Sequence, residues 1–104
     1  MKTLKLTLNK QWFDLIEKGI KTEEYREIKD YWVKRFKEMS LTRFEPFKHF
    51  DYVEFTNGYN SKSPKIILEC KGIEVGIGNP DWGAIENTKY FVIKLGCEVS
   101  RQNC

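Results

Sequence analysis

Histidine occurs once, at His49, proline three times, and the three cysteines stand far apart at positions 70, 97 and 104. Each scarcity excludes something. Zinc is held by closely spaced Cys and His ligands, and no CxxC pair or second histidine exists here, so no metal or other cofactor is expected. A Ser-His-Asp or Cys-His set would have to be built on His49 alone, inside an aromatic loop. An odd number of cysteines without a secretory leader suits a reducing cytoplasm, with Cys70 a buried thiol and Cys104 a loose one. No apolar run approaches the roughly 20 residues that span a bilayer, so a cytoplasmic protein without a membrane partner is expected. Neither charge sign dominates. Eighteen Lys and Arg against 15 Asp and Glu leave +3, so any nucleic-acid site has to be local.

Aromatic residues, by contrast, are plentiful: seven Phe, five Tyr and three Trp in 104 residues that form one domain. Many must pack, and the remainder can serve as stacking platforms at the surface. Leu4, Leu6 and Leu8 alternate with Lys5 and Thr7, which predicts a strand with one apolar face. Asn9 is placed to cap a helix whose stripe is Trp12, Phe13, Leu15 and Ile16, with Trp12 and Phe13 read as core. Gly19 suits the left-handed position just past its end. A second helix is predicted over 28–39, with Trp32, Phe36 and Met39 inward and a basic surface of Lys34, Arg35 and Lys37. An aromatic loop follows (Phe44, Phe47, Phe50), then a strand over 52–56. Asn57-Gly58 signals a turn that lengthens into a loop carrying Tyr59. Strands are predicted over 65–75, with Gly72 a bulge, and 89–99. Between them the loop GIGNPDWGA presents Trp82 among small residues; it lacks the third glycine and the helix of a dinucleotide fingerprint. About five strands, joined by turns after residue 50, predict an α+β fold with a small, mostly antiparallel barrel and two helices in the N-terminal half.

The stretch from Gly19 to Glu27 breaks the binary pattern. Read as a strand, it puts Lys21, Glu23, Tyr25 and Glu27 on one side and Thr22, Glu24 and Arg26 on the other, and neither side is apolar. Such a strand is an exposed, charge-protected edge or the floor of a polar cleft. In the cleft reading Glu24 and Arg26 hold each other, and Lys21 is the positive charge that meets a ligand.

Gly19-x-Lys21-x-x-Glu24-x-Arg26 resembles the GxKxxExR signature of the ASCH domain, a relative of the RNA-associated PUA barrel. The helix ending in Ile16-Glu17-Lys18-Gly19, the turn from Phe55 to Tyr59 and the strand from Tyr90 to Gly96 extend the similarity over nearly the whole chain. The resemblance implies a cleft that takes RNA or a nucleoside, modified ones included. Lys21, Glu24 and Arg26 would line it, Asn57 and Tyr59 would read a base, and Trp82 would stack on one. It also implies, as an alternative, hydrolysis of N4-acetylcytidine or cleavage of RNA, with Lys21 and Glu24 as the catalytic pair. The hydrolase branch has a threonine where this chain has Glu24, and takes a further glutamate from a later segment, for which Glu69, Glu74 and Glu86 are the candidates. A third alternative is a protein-interaction module whose mark would be an exposed patch of Phe44, Phe47 and Phe50. Nothing in the sequence sets an oligomeric state.

Overall fold

A computed structural model describes residues 2–37, 47–60 and 62–103. Strand β1 (Thr3–Leu8) buries Leu4, Leu6 and Leu8 and exposes the residues between them, as the alternation predicts. Helix α1 (Lys10–Glu17) and the short strand β2 (Glu23–Arg26) follow, then helix α2 (Asp30–Phe36). The second half is a meander of β3 (Tyr52–Asn57), β4 (Lys65–Ile77) and β5 (Lys89–Gln102). The five strands make one mixed sheet in the order β1-β3-β4-β5-β2. Only β1–β3 is parallel; the other three pairings are antiparallel. A parallel pair needs a long crossover, and the chain carrying α1, β2 and α2 supplies it.

The core is the inner face of this sheet covered by both helices. Leu4, Leu6, Val53, Phe55, Ile66, Phe91 and Ile93 meet Phe13 and Ile16 from α1 and Phe36 from α2. Phe47 and Phe50 are half-buried against the same core, so they do not form an exposed patch; Phe44 lies outside the described residues. The β4–β5 register shifts between Leu68 and Gly72, where Gly72 sits at φ +138°, at the bulge that its position predicts. β5 continues to Gln102, three residues past the expected end. Among the described residues no helix is long and apolar enough to cross a membrane.

Three local expectations need correction. Asn9 is extended at the N-cap position, and its carbonyl accepts the first helical bond from the Phe13 amide at 3.0 Å, but its side chain makes no cap bond. α2 stops at Phe36 rather than 39. Lys37 turns extended and bridges Phe47, while the Lys48 amide takes the Phe36 carbonyl at 2.7 Å, so the helix end is satisfied by the returning chain; Met39 lies outside the described residues. The sheet, finally, is not closed into a barrel: β1 and β2 are its two edges. A side chain reaches across that seam, Arg26 Nη2 donating to the Thr7 carbonyl at 3.2 Å.

α1 ends in a Schellman turn. The Gly19 amide bonds the Ile16 carbonyl and the Ile20 amide the Leu15 carbonyl, both at 3.0 Å, with Gly19 at φ +75°. The Lys21 amide adds a third bond to Leu15 at 3.1 Å. A Cβ at Gly19 would meet nothing within 4 Å, so Gly19→Ala is strained through its backbone alone. It is expected to lower stability by about 1–2 kcal/mol in urea denaturation, and Gly19→Asn by clearly less; equal losses would locate the cost elsewhere.

Candidate functional site

The Schellman turn delivers Lys21 to the site. Residues 21 and 22 precede the β2 ladder, so strand alternation does not govern them, and Lys21 turns to the same side as Glu24 instead of the opposite one. Both are buried, at 2% and 3% exposure. Lys21 Nζ donates to Glu24 Oε1 at 2.9 Å and to the Trp82 carbonyl at 2.8 Å, and lies 4.6 Å from the centre of the Trp12 ring. Removal from water pushes the Lys21 ammonium below its ordinary value of 10.5, against the pull of Glu24. Lys21 is therefore a member of the buried cluster and not a free charge at its mouth.

Glu24 accepts from both sides. Its Oε1 also takes the Tyr25 amide at 3.0 Å, and its Oε2 takes Arg26 Nη1 at 2.7 Å. Glu24 and Arg26 hold each other as the cleft reading expects, with Lys21 as a second clamp. Arg26 further donates to the Tyr25 and Thr7 carbonyls and lies 5.2 Å from the centre of the Trp32 ring. Among the described residues no buried side-chain nitrogen or oxygen lacks a partner, which is how two cations and a carboxylate tolerate burial. On β2's other face, the Tyr25 hydroxyl donates to Glu23 Oε1 at 2.8 Å and accepts the Asn79 amide at 2.9 Å. Burial, opposed by the Asn79 amide and reinforced by Glu23, pushes its phenol from 10.0 up to about 12.

Asn79 also shapes the loop that carries Trp82. Its side chain accepts the Asp81 amide at 2.9 Å and starts a 3-10 turn over Pro80–Trp82, which Gly83 ends at φ +101°. A Cβ on Gly83 would lie 2.9 Å from the Trp12 ring. Only glycine lets this loop close on Trp12 and bring the Trp82 carbonyl to Lys21.

Around the cluster opens a cavity of about 1000 Å³, walled by β1 on one side and by β2, α2 and the Trp82 loop on the others. All three tryptophans of the chain line it, as do Tyr25, Tyr31, Tyr59 and Tyr90, and none of the described phenylalanines does. Among the described residues its lining carries six basic side chains (Lys5, Lys21, Arg26, Lys29, Arg35, Lys89) against the carboxylates of Glu24 and Glu27. Of the residues expected at the site, Lys21, Glu24, Arg26 and Trp82 come together, and Tyr59, 95% exposed, stands at the rim. Asn57 does not line the cavity; its amide bonds the Pro64 carbonyl. Glu69, Glu74 and Glu86 also lie off it: Glu69 accepts the Cys97 amide, Glu74 pairs with Lys94, and Glu86 is exposed.

Trp12 and Trp32 were not anticipated as lining residues. Adjacent helical residues are about 100° apart, so once Phe13 and Ile16 face the core, Trp12 is turned toward the cavity. Trp32 stacks on buried Phe36 at 5.2 Å and lines the cavity as well. Among the described residues no group of three or more His, Cys, Asp or Glu is gathered as if for a metal. Comparison with protein-family models, with curated proteins and with solved structures finds no match to this chain.

Removing the carboxylate leaves Lys21 and Arg26 without their shared counter-charge. Glu24→Ala is expected to cost roughly 3–5 kcal/mol in denaturant unfolding, whereas a loss under about 1 kcal/mol would mean the cluster behaves as a surface pair. Tyr25 makes a separate prediction. An unfolded tyrosine gives up its proton near pH 10 and the folded one near 12. The stabilisation held by the protonated phenol is therefore complete below pH 10 and is lost as pH rises through 12. The stability difference between the parent and Tyr25→Phe should shrink by on the order of 2 kcal/mol across that window, and a difference independent of pH would refute the burial of the phenol.

Proposed function

We propose that this chain binds RNA or a nucleoside, modified nucleosides included, in the cavity between β1 and β2. One observation carries the reading: every indole and four of the five tyrosines line the cavity, while none of the described phenylalanines does. Indole and phenol rings offer flat faces with a polar edge, which suits stacking on a base whose rim is hydrogen-bonded. The excess of basic side chains in the lining suits a phosphate-bearing ligand. Arg26 uses two of its guanidinium nitrogens on Glu24 and backbone carbonyls, which fixes the fork beside Trp32. Glu24 and Lys21 hold that geometry from beneath. The ASCH-like signature is consistent with this division of labour, and we read the open five-stranded sheet, its two edges joined by the Arg26 side chain, as PUA-like.

Because the three tryptophans share one cavity, intrinsic fluorescence reports its occupancy. Titration with ribonucleosides, N4-acetylcytidine and short single-stranded RNA should give a saturable change for at least one of them. Trp82→Ala is expected to weaken that binding roughly 5- to 150-fold, the value of one lost base stack. No response from the parent protein to any of these ligands would reject the reading.

A second reading is hydrolysis of N4-acetylcytidine, or cleavage of RNA. It draws on Lys21, whose ammonium burial makes easier to deprotonate, beside a carboxylate at 2.9 Å. Glu24 would take the proton of an attacking water and pass it to the departing group as its bond breaks (the N4 amine, leaving acetate and cytidine, or the sugar oxygen of a cleaved phosphodiester), while Lys21 would polarise the carbonyl or phosphoryl oxygen. Formation of cytidine from N4-acetylcytidine, or of shortened fragments from RNA, abolished in Lys21→Met, is the expected outcome of this reading.

A further inference from the structure

A second hollow of about 510 Å³ adjoins the cavity on the outer side of α2. Lys2, Lys34, Arg35 and Lys48 line it together with Tyr31 and Phe50, and among the described residues no carboxylate does. Tyr31 and Arg35 line both spaces, so the two are separated by a single ridge of side chains. None of the four cations has a carboxylate partner within ion-pair distance among the described residues, although the chain as a whole is nearly balanced in charge. Lys48 Nζ and Arg35 Nη2 donate to the backbone carbonyls of Lys34 and Lys5, both at 3.4 Å, and Arg35 Nη1 donates to the Tyr31 hydroxyl at 3.5 Å. Tyr31 is 60% exposed on the ridge itself, its ring held edge-on against Trp32 at 4.7 Å.

We infer that the hollow is a backbone subsite: the nucleotide in the cavity belongs to a single-stranded chain whose neighbouring phosphates cross the Tyr31–Arg35 ridge and run over Lys34, Lys48 and Lys2. This rests on the reading of the cavity given above and sharpens it from RNA or a free nucleoside to a polynucleotide. Unpaired cations in a row attract consecutive phosphates and release their counterions, whereas a lone nucleoside leaves the row unused. An exposed ring at the step between the two spaces gives the next base a stacking platform. A duplex does not fit this path, because the base in the cavity has to be splayed from its neighbours.

The test compares the parent with Lys34→Gln/Lys48→Gln, two residues that line the hollow and not the cavity. Binding of a mixed-sequence single-stranded RNA decamer, of its duplex, and of the ribonucleosides with N4-acetylcytidine is measured over 50–300 mM salt. The decamer is expected to bind more tightly than any nucleoside and than the duplex. The double variant should lower its affinity and reduce the log–log salt slope by about 1.4, close to 0.7 per lost phosphate contact. Nucleoside affinity and melting temperature should not change. An unaltered slope in the variant overturns the subsite, as does binding of phosphatidylserine vesicles as tight as that of the decamer and equally sensitive to the substitutions. Nucleoside binding without any gain for the decamer overturns the subsite alone. Failure of both nucleosides and decamer to bind overturns the reading of the cavity with it.

Discussion

A carboxylate carried into the protein interior dictates the arrangement around it. Glu24 can be buried only because Lys21 and Arg26 reach it from opposite sides and the Tyr25 amide completes its oxygens. Each partner then brings a constraint of its own. Lys21 needs a further acceptor, which fixes the Trp82 carbonyl and so the loop that bears it. Arg26 shares the nitrogen that meets Glu24 with the Tyr25 carbonyl and sends its other terminal nitrogen across the seam to the Thr7 carbonyl. One anion thus ties together a helix end, two strands and a loop more than 50 residues away. Such a network is a poor way to gain stability compared with apolar packing, and its survival in the interior points to the geometry it imposes on the cavity.

The aromatic residues are divided by chemistry. Phe13, Phe36, Phe55 and Phe91 fill the core, where a ring without polar atoms loses nothing. The tryptophans and most tyrosines take positions that line the cavity. α1 and α2 each make this division within a single turn: Phe13 inward with Trp12 beside it, Phe36 inward with Trp32 stacked upon it. Cavity and core are thus two faces of the same few turns of helix.

Much of this was legible in the residues. The leucine alternation of β1, the apolar pair on α1, the glycine that stops it and the bulge at Gly72 rest on local rules of side-chain period and backbone freedom, and these hold in the fold. The association of Glu24 with Arg26 was legible for the same reason, since two residues two apart on a strand share a face. Lys21 was not, because the helix cap, and not strand alternation, sets where its side chain points. The edge-or-cleft ambiguity of β2 had no local answer either. β2 is an edge strand and also a wall of the cavity, because the other edge, β1, stands opposite it. Trp12 was assigned to the core from its stripe alone. A stripe gives the apolar side of a helix but not where the core stops along its width.

The seam between β1 and β2 carries a mechanical consequence. Elsewhere in the sheet, neighbouring strands are locked at about 4.8 Å by a ladder that must break as a unit if they part. Across the seam the link is a long guanidinium side chain, with several rotatable bonds between the Arg26 backbone and the Thr7 carbonyl it holds. The width of the gap is therefore set by rotamers rather than by register. No interstrand ladder has to break for that side chain to change its rotamer.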